Sequence, residues 1–123
     1  MYSVKIRQHI MIAHSFAHPG FGPAQKMHGA TYVVDVSFFA EQLNDMAVVI
    51  DISLAHDALK EVLNPLNYQN LDELPQFKGQ LTTTEFLARY IHDTVKQKVS
   101  DQFSGKIKVT LGESHIAWAS YES

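Results

Sequence analysis

Apolar and polar residues alternate from Tyr2 to Phe16. Tyr2, Val4, Ile6, Ile10, Ile12, His14 and Phe16 fall on one row, and Ser3, Lys5, Arg7 and His9 on the other. A period of two over that length predicts a long strand with one buried face. AHPGFGPAQK follows, with two glycines and two prolines in ten residues, and reads as a loop. Residues 27–40, MHGATYVVDVSFFA, predict a second strand with His28, Ala30, Tyr32, Val34, Val36 and Phe38 on its inward row. The period then changes. Leu54, Ala58, Leu59, Val62 and Leu63 recur at helical spacing, with Ser53 or Asp51 as the cap and Pro65 as the stop. NYQNLDELPQFKGQ reads as a long polar loop. Thr82 and Glu85 have capping-box spacing and open a second helix striped by Phe86, Tyr90, Ile91, Val95 and Val99. Ile107, Val109 and Leu111 alternate with Lys106, Lys108 and Thr110 as strand three. Gly112 interrupts it, a tight turn falls at 112–114, and His115 to Tyr121 forms strand four.

The predicted order is ββααββ. Strands and helices come in runs rather than in strict alternation, which argues an α+β domain with an antiparallel four-stranded sheet and both helices on one face. With 123 residues, 46% of them hydrophobic, the chain suits a single domain over residues 1–123. Four long strands leave two open edges, and such edges are blunted or paired with another chain, so a homo-oligomer is expected.

Composition narrows the chemistry. Without cysteine there is no disulfide, thiolate metal site or cysteine nucleophile, and a reducing, cytoplasmic setting is expected. Ten Lys and Arg against thirteen Asp and Glu give a net charge of −3 with no basic stripe, so no nucleic-acid partner is expected. No apolar run approaches the roughly 20 residues that span a bilayer. The seven histidines are the one oddity.

Four groups of residues carry candidate chemistry. His14 and His28 lie on the inward rows of neighbouring strands and meet if the register matches. They read either as two ligands of a zinc, with His18 or His115 as the third, or as hydrogen-bonded histidines at the core's edge. Glu85 reads as the partner in the capping box or as a site carboxylate. Glu113 continues the row of Ile107, Val109 and Leu111, either at the rim in water or as a buried acceptor for two parallel N–H groups of a ligand. Asn67-Tyr68-Gln69-Asn70 reads as solvated turn or as a functional loop.

Several of these features occur together in a fixed order: His14, the His28-Gly29 pair, Leu66-Asn67-Tyr68-Gln69-Asn70-Leu71-Asp72, Thr83-Thr84-Glu85 and Glu113. The set resembles the 6-pyruvoyl-tetrahydropterin synthase and 6-carboxytetrahydropterin synthase family from about His14 to Glu113. The resemblance implies the tunnelling fold, in which trimers close a barrel from four-stranded sheets and two trimers commonly stack into a hexamer, with the active site between subunits. It implies a reduced-pterin substrate of the 7,8-dihydroneopterin type and a lyase reaction. It implies zinc held by three histidines, of which His14 and His28 match two. It implies a pterin grip, matched by Thr83, Thr84, Glu85 and Glu113. Four positions depart from the pattern. The third zinc histidine is Ala30, the family's cysteine base is Ala24, and its Asp-His pair is Asn67-Tyr68. Tyr68, with a phenol ordinarily titrating near 10, could donate or orient a proton but makes a poor base.

Overall fold

The structure is a computed structural model that describes all 123 residues. Two long strands come first, β1 (Tyr2–His14) and β2 (His28–Ala40), joined by a loop with a 3₁₀ turn over Pro19–Gln25. Helix α1 (Ile52–Leu63), the two-residue strand β3 (Gln69–Asn70) and helix α2 (Thr84–Lys98) follow, and β4 (Lys106–Ser114) and β5 (Ala117–Glu122) close the chain. The ββααββ order stands, with one addition. The segment read as a polar loop contributes β3, which pairs parallel to β1 through Ile12–Gln69 and Ala13–Asn70. The sheet therefore has five strands in the order β3-β1-β2-β4-β5.

The alternation places each row as the sequence implies. Ile6, Ile10 and Ile12 of β1, Tyr32, Val34, Val36 and Phe38 of β2, and Ile107, Val109 and Leu111 of β4 are all buried under the helices. Helix α2 packs on β4 and β5, and α1 packs on β1 and α2. From the helices, Ala55, Leu59, Val62, Leu87, Ala88, Ile91 and Val95 complete the core. The opposite face of the sheet mixes charged and polar residues with Met11, Val33 and Phe39. There Arg7 donates two hydrogen bonds to Asp35, at 2.7 and 2.9 Å, and holds its carboxyl below the usual carboxylate range.

Several boundaries move, each for a local reason. β1 ends at His14, because Ser15 turns to give both its N–H and its hydroxyl to Asp72. Asp51, not Ser53, caps α1 by accepting from Ser53 N and Leu54 N. Thr83, not Thr82, caps α2 by accepting from Phe86 N, and this frees Thr82 for another partner. β4 runs through the expected turn to Ser114, and the reversal falls at His115 and Ile116. The loop of residues 71–80 also is not wholly polar in space: Leu71 and Phe77 are buried in the core.

Candidate active site

Antiparallel pairing of β1 and β2 sets His14 opposite His28, and the two imidazole centroids lie 4.6 Å apart in an edge-on arrangement. The ring of His14 is buried, with Nδ1 3.0 Å from Thr82 Oγ1. His28 is half-buried, and its Nδ1 lies 2.8 Å from the carbonyl oxygen of Lys26. A carbonyl only accepts, so Nδ1 of His28 carries the proton and Nε2 a free lone pair. Phe16 packs 4.6 Å from His14 and 5.5 Å from His28, with Phe21 against it in turn. The amide of Phe16 donates to the carbonyl of Ala24, which folds the 19–25 turn back over this end of the sheet.

Burial, and then the neighbouring His28 charge, depress the His14 imidazolium, moving its pKa from 6.5 to about 4. His14 is therefore neutral at neutral pH. Below pH 6.5 the unfolded chain takes up a proton that the folded chain refuses until about 4. Stability contributed by this site is thus intact above 6.5 and lost progressively as pH falls toward 4. Denaturant titrations across that window should show stability falling with acidity in the native protein and a shallower slope in His14→Gln. Equal slopes would remove His14 as the cause.

The second half of the site is built by a bulge. β4 and β5 pair regularly up to Gly112–Trp118, and the next pair is Ser114–Ala117, so Glu113 has no partner and is re-aimed. Glu113 is exposed rather than buried in the inward row, because the bulge interrupts the alternation that the row relied on. It still reaches the start of α2: Thr84 Oγ1 donates to Glu113 Oε2 at 3.4 Å. Close to them lies Tyr32, 1% exposed, whose phenol feels Thr84, Glu113 and Glu85. Burial raises the Tyr32 pKa above its ordinary value, the Thr84 hydrogen bond lowers it, and the Glu113 and Glu85 charges raise it further. Thr84, Glu85 and Glu113 open with Ala117, Trp118 and Ala119 onto a cavity of about 180 Å³. Gly112 makes room on the other side of the hairpin, where a Cβ would stand 3.1 Å from the Trp118 indole.

The two halves are joined by four consecutive residues. Thr82 contacts His14, Thr83 caps α2, Thr84 contacts Glu113, and Glu85 stands exposed in the first helical turn beside the cavity. Sequence reasoning missed Thr82 and Tyr32 as parts of this site. Tyr32 looks like any core aromatic, and its one signal is that it shares an inward row with His28.

The remaining candidates are not drawn in. His18 uses Nδ1 to accept from Gly20 N at 2.9 Å, which ties it to its own turn. His115 lies exposed in the β4–β5 turn. No three His, Cys, Asp or Glu side chains are placed to share a metal ion. His14 and His28 supply two imidazoles where a catalytic zinc takes three protein ligands, so the residues of one chain do not complete a zinc site. Tyr68 is 77% exposed with φ 60°, a strained angle for a residue with a β-carbon. Its amide donates to the carbonyl of Met11 at 2.6 Å, and Asn67 Oδ1 accepts from Met11 N. The pair thus closes the edge of β1, and neither side chain bonds to the histidines or to Glu113.

An antiparallel sheet with two helices on one face, a cross-strand histidine pair at its end and a carboxylate on a β-bulge above a helix N-terminus define a specific class of α+β protein. Residues 3–123 match the family 6-pyruvoyl tetrahydropterin synthase, and the chain belongs to that family. It is 31% identical over 98 residues to the 6-pyruvoyl tetrahydrobiopterin synthase of Dictyostelium discoideum, covering 78% of this chain and 72% of that one. It is 28% identical over 131 aligned positions to the 6-carboxy-5,6,7,8-tetrahydropterin synthase of Bacillus subtilis (strain 168), covering 98% and 86%. The 6-pyruvoyl tetrahydropterin synthase structure from Caenorhabditis elegans superposes with a TM-score of 0.87 at 22% identity, covering 99% of this chain and 95% of that one. No helix is long and apolar enough to cross a membrane.

Proposed function

We propose that this protein binds a reduced pterin of the 7,8-dihydroneopterin type and acts on the ligand's side chain as a lyase. One juxtaposition carries the reading: the Thr82–Glu85 segment touches His14 at one end and Glu113 at the other. It thereby ties the carboxylate that lines the cavity to the pair of imidazoles beyond the start of α2. Glu113 accepts from the N–H edge of the pterin ring, and an ionised carboxylate can take two such bonds in parallel. Thr84 steadies Glu113, and Thr83 and Glu85 complete the wall at the N-terminus of α2. The ligand's side chain then points toward His14 and His28. Tyr68 is the candidate proton donor among the residues that differ from the family pattern.

The cavity of about 180 Å³ is smaller than the roughly 300–1,000 Å³ of most ligand pockets. This supports a site shared between subunits; we read the assembly as a homo-oligomer, a trimer or a dimer of trimers, working in the cytoplasm. The open edges at β3 and β5 are where such subunits would join.

A second reading is binding without turnover. It is favoured by Ala24 and Asn67, which stand where the family keeps its base and relay and can take no proton near neutral pH. Incubation with 7,8-dihydroneopterin triphosphate separates the two. Release of inorganic triphosphate with a changed pterin side chain supports the lyase. Saturable binding with the substrate recovered intact supports the binder. Neither binding nor turnover contradicts both.

A further inference from the structure

An Nδ1 bonded to protein, as in both His14 and His28, suits a metal ligand and a hydrogen-bonding pair alike, so the rest of the surroundings decides between them. Each ring has its Nδ1 occupied, on Thr82 Oγ1 for His14 and on the Lys26 carbonyl for His28. No buried side-chain nitrogen in the protein lacks a partner, so the unbonded Nε2 of His14 is not fully sealed in the core. Apart from Thr82, the neighbours of the pair on its strands and loop are hydrocarbon. Ala30 is the next inward residue of β2, Ile12 is its partner on β1, and Phe16 covers the pair from the loop side. The nearest carboxylate of the loop, Asp72, is spent on Ser15. From this chain, a dication placed there would meet two neutral nitrogens and no uncommitted anion. With the Thr82 hydroxyl donating to His14 Nδ1, Nε2 of His14 would carry a proton and Nε2 of His28 a lone pair, and a ligand hydroxyl would accept from the first and donate to the second.

We propose that His14 and His28 form a metal-free recognition pair whose Nε2 atoms bond directly to a hydroxyl on the ligand's side chain, and that Ala30 is the residue that separates this site from a zinc centre. What the pair touches rests on the pterin reading above, whereas its freedom from metal does not.

The test has two arms. In the first, the wild-type protein and Ala30→His are prepared from zinc-supplemented medium, and zinc is counted and then titrated calorimetrically into the metal-free proteins. The wild type is expected to carry at most about a tenth of an equivalent per chain, and Ala30→His about one, bound at least 100-fold more tightly. One tightly held zinc per wild-type chain overturns the proposal, whatever the variant does. In the second arm, 7,8-dihydroneopterin binding is measured with and without EDTA, and in His28→Ala. The expected result is affinity within about twofold in EDTA and a loss of about tenfold in His28→Ala. Binding abolished by EDTA and restored by zinc, or an unchanged affinity in His28→Ala, overturns it. A wild type that binds no pterin at all would sink the pterin reading, while the zinc count still decides the first arm.

Discussion

Glu113→Gln is expected to lower affinity for 7,8-dihydroneopterin by about 100-fold or more while leaving thermal stability unchanged. The asymmetry follows from where Glu113 stands. It is exposed on a bulge and its one side-chain bond is to Thr84 at 3.4 Å, so the fold loses little when the charge goes. The ligand loses much more. Hydrogen bonds to a charged acceptor contribute about 1.5–3 kcal/mol each, and an amide offers one acceptor and one N–H that opposes the ligand's own N–H. Glu122→Gln is the control. Its carboxylate pairs with Lys106 at 2.7 Å at the far end of β5, and the affinity should stay within about twofold. Equal losses in both variants would assign the effect to net charge rather than to the grip. An unchanged affinity in Glu113→Gln would remove Glu113 from the site.

Phe77→Ala is expected to destabilise the protein by about 3–5 kcal/mol, the usual cost of truncating a buried phenylalanine. Phe77 is 2% exposed and stacks edge-on against Tyr90 at 4.8 Å and Phe86 at 6.0 Å, both on α2. It lies just upstream of the Thr82–Glu85 segment and fixes the first turns of the helix that segment opens. Loss of the ring should therefore lower the unfolding midpoint by roughly 10–20 °C. It should also weaken pterin binding, although Phe77 lies outside the proposed cleft. Thermal unfolding with and without ligand checks both effects. A midpoint within about 2 °C of wild type would show that the loop is not part of the core.

The contrast between these two residues also explains what the sequence made legible. The long alternating rows of β1 and β2 fixed which face each strand buries, and a regular register then brought His14 onto His28. Nothing in that inference needs more than a period of two and a pairing without bulges. Phe77 and Leu71 were hidden because each is a lone apolar residue among polar neighbours, and a core contact made from a loop leaves no periodic trace. The same holds for β3, two residues recruited by the edge of β1 rather than by their own propensity. Glu113 was legible as a residue of interest but not in its true orientation, since alternation carried across a β-bulge assigns the wrong face. Thr82 and Thr83 exchanged roles because three successive threonines all satisfy the cap pattern. Only the position of His14 decides which one is left over to meet it. Tyr32 comes near Thr84, Glu85 and Glu113 only through the fold, so its inward row shared with His28 was its one signal in the sequence. The family resemblance pointed to the grip residues, and the local geometry shows how three of them are held: Thr83 as a cap, Thr84 against Glu113, Glu113 on its bulge.

The central claim is that this cleft takes a reduced pterin. It is tested most directly by equilibrium binding of 7,8-dihydroneopterin, followed by fluorescence, to folded protein of known metal content. The account predicts saturable binding with one site per chain. No binding, with or without added zinc, would contradict it and leave Glu85 as a helix-end residue and Glu113 as part of the rim.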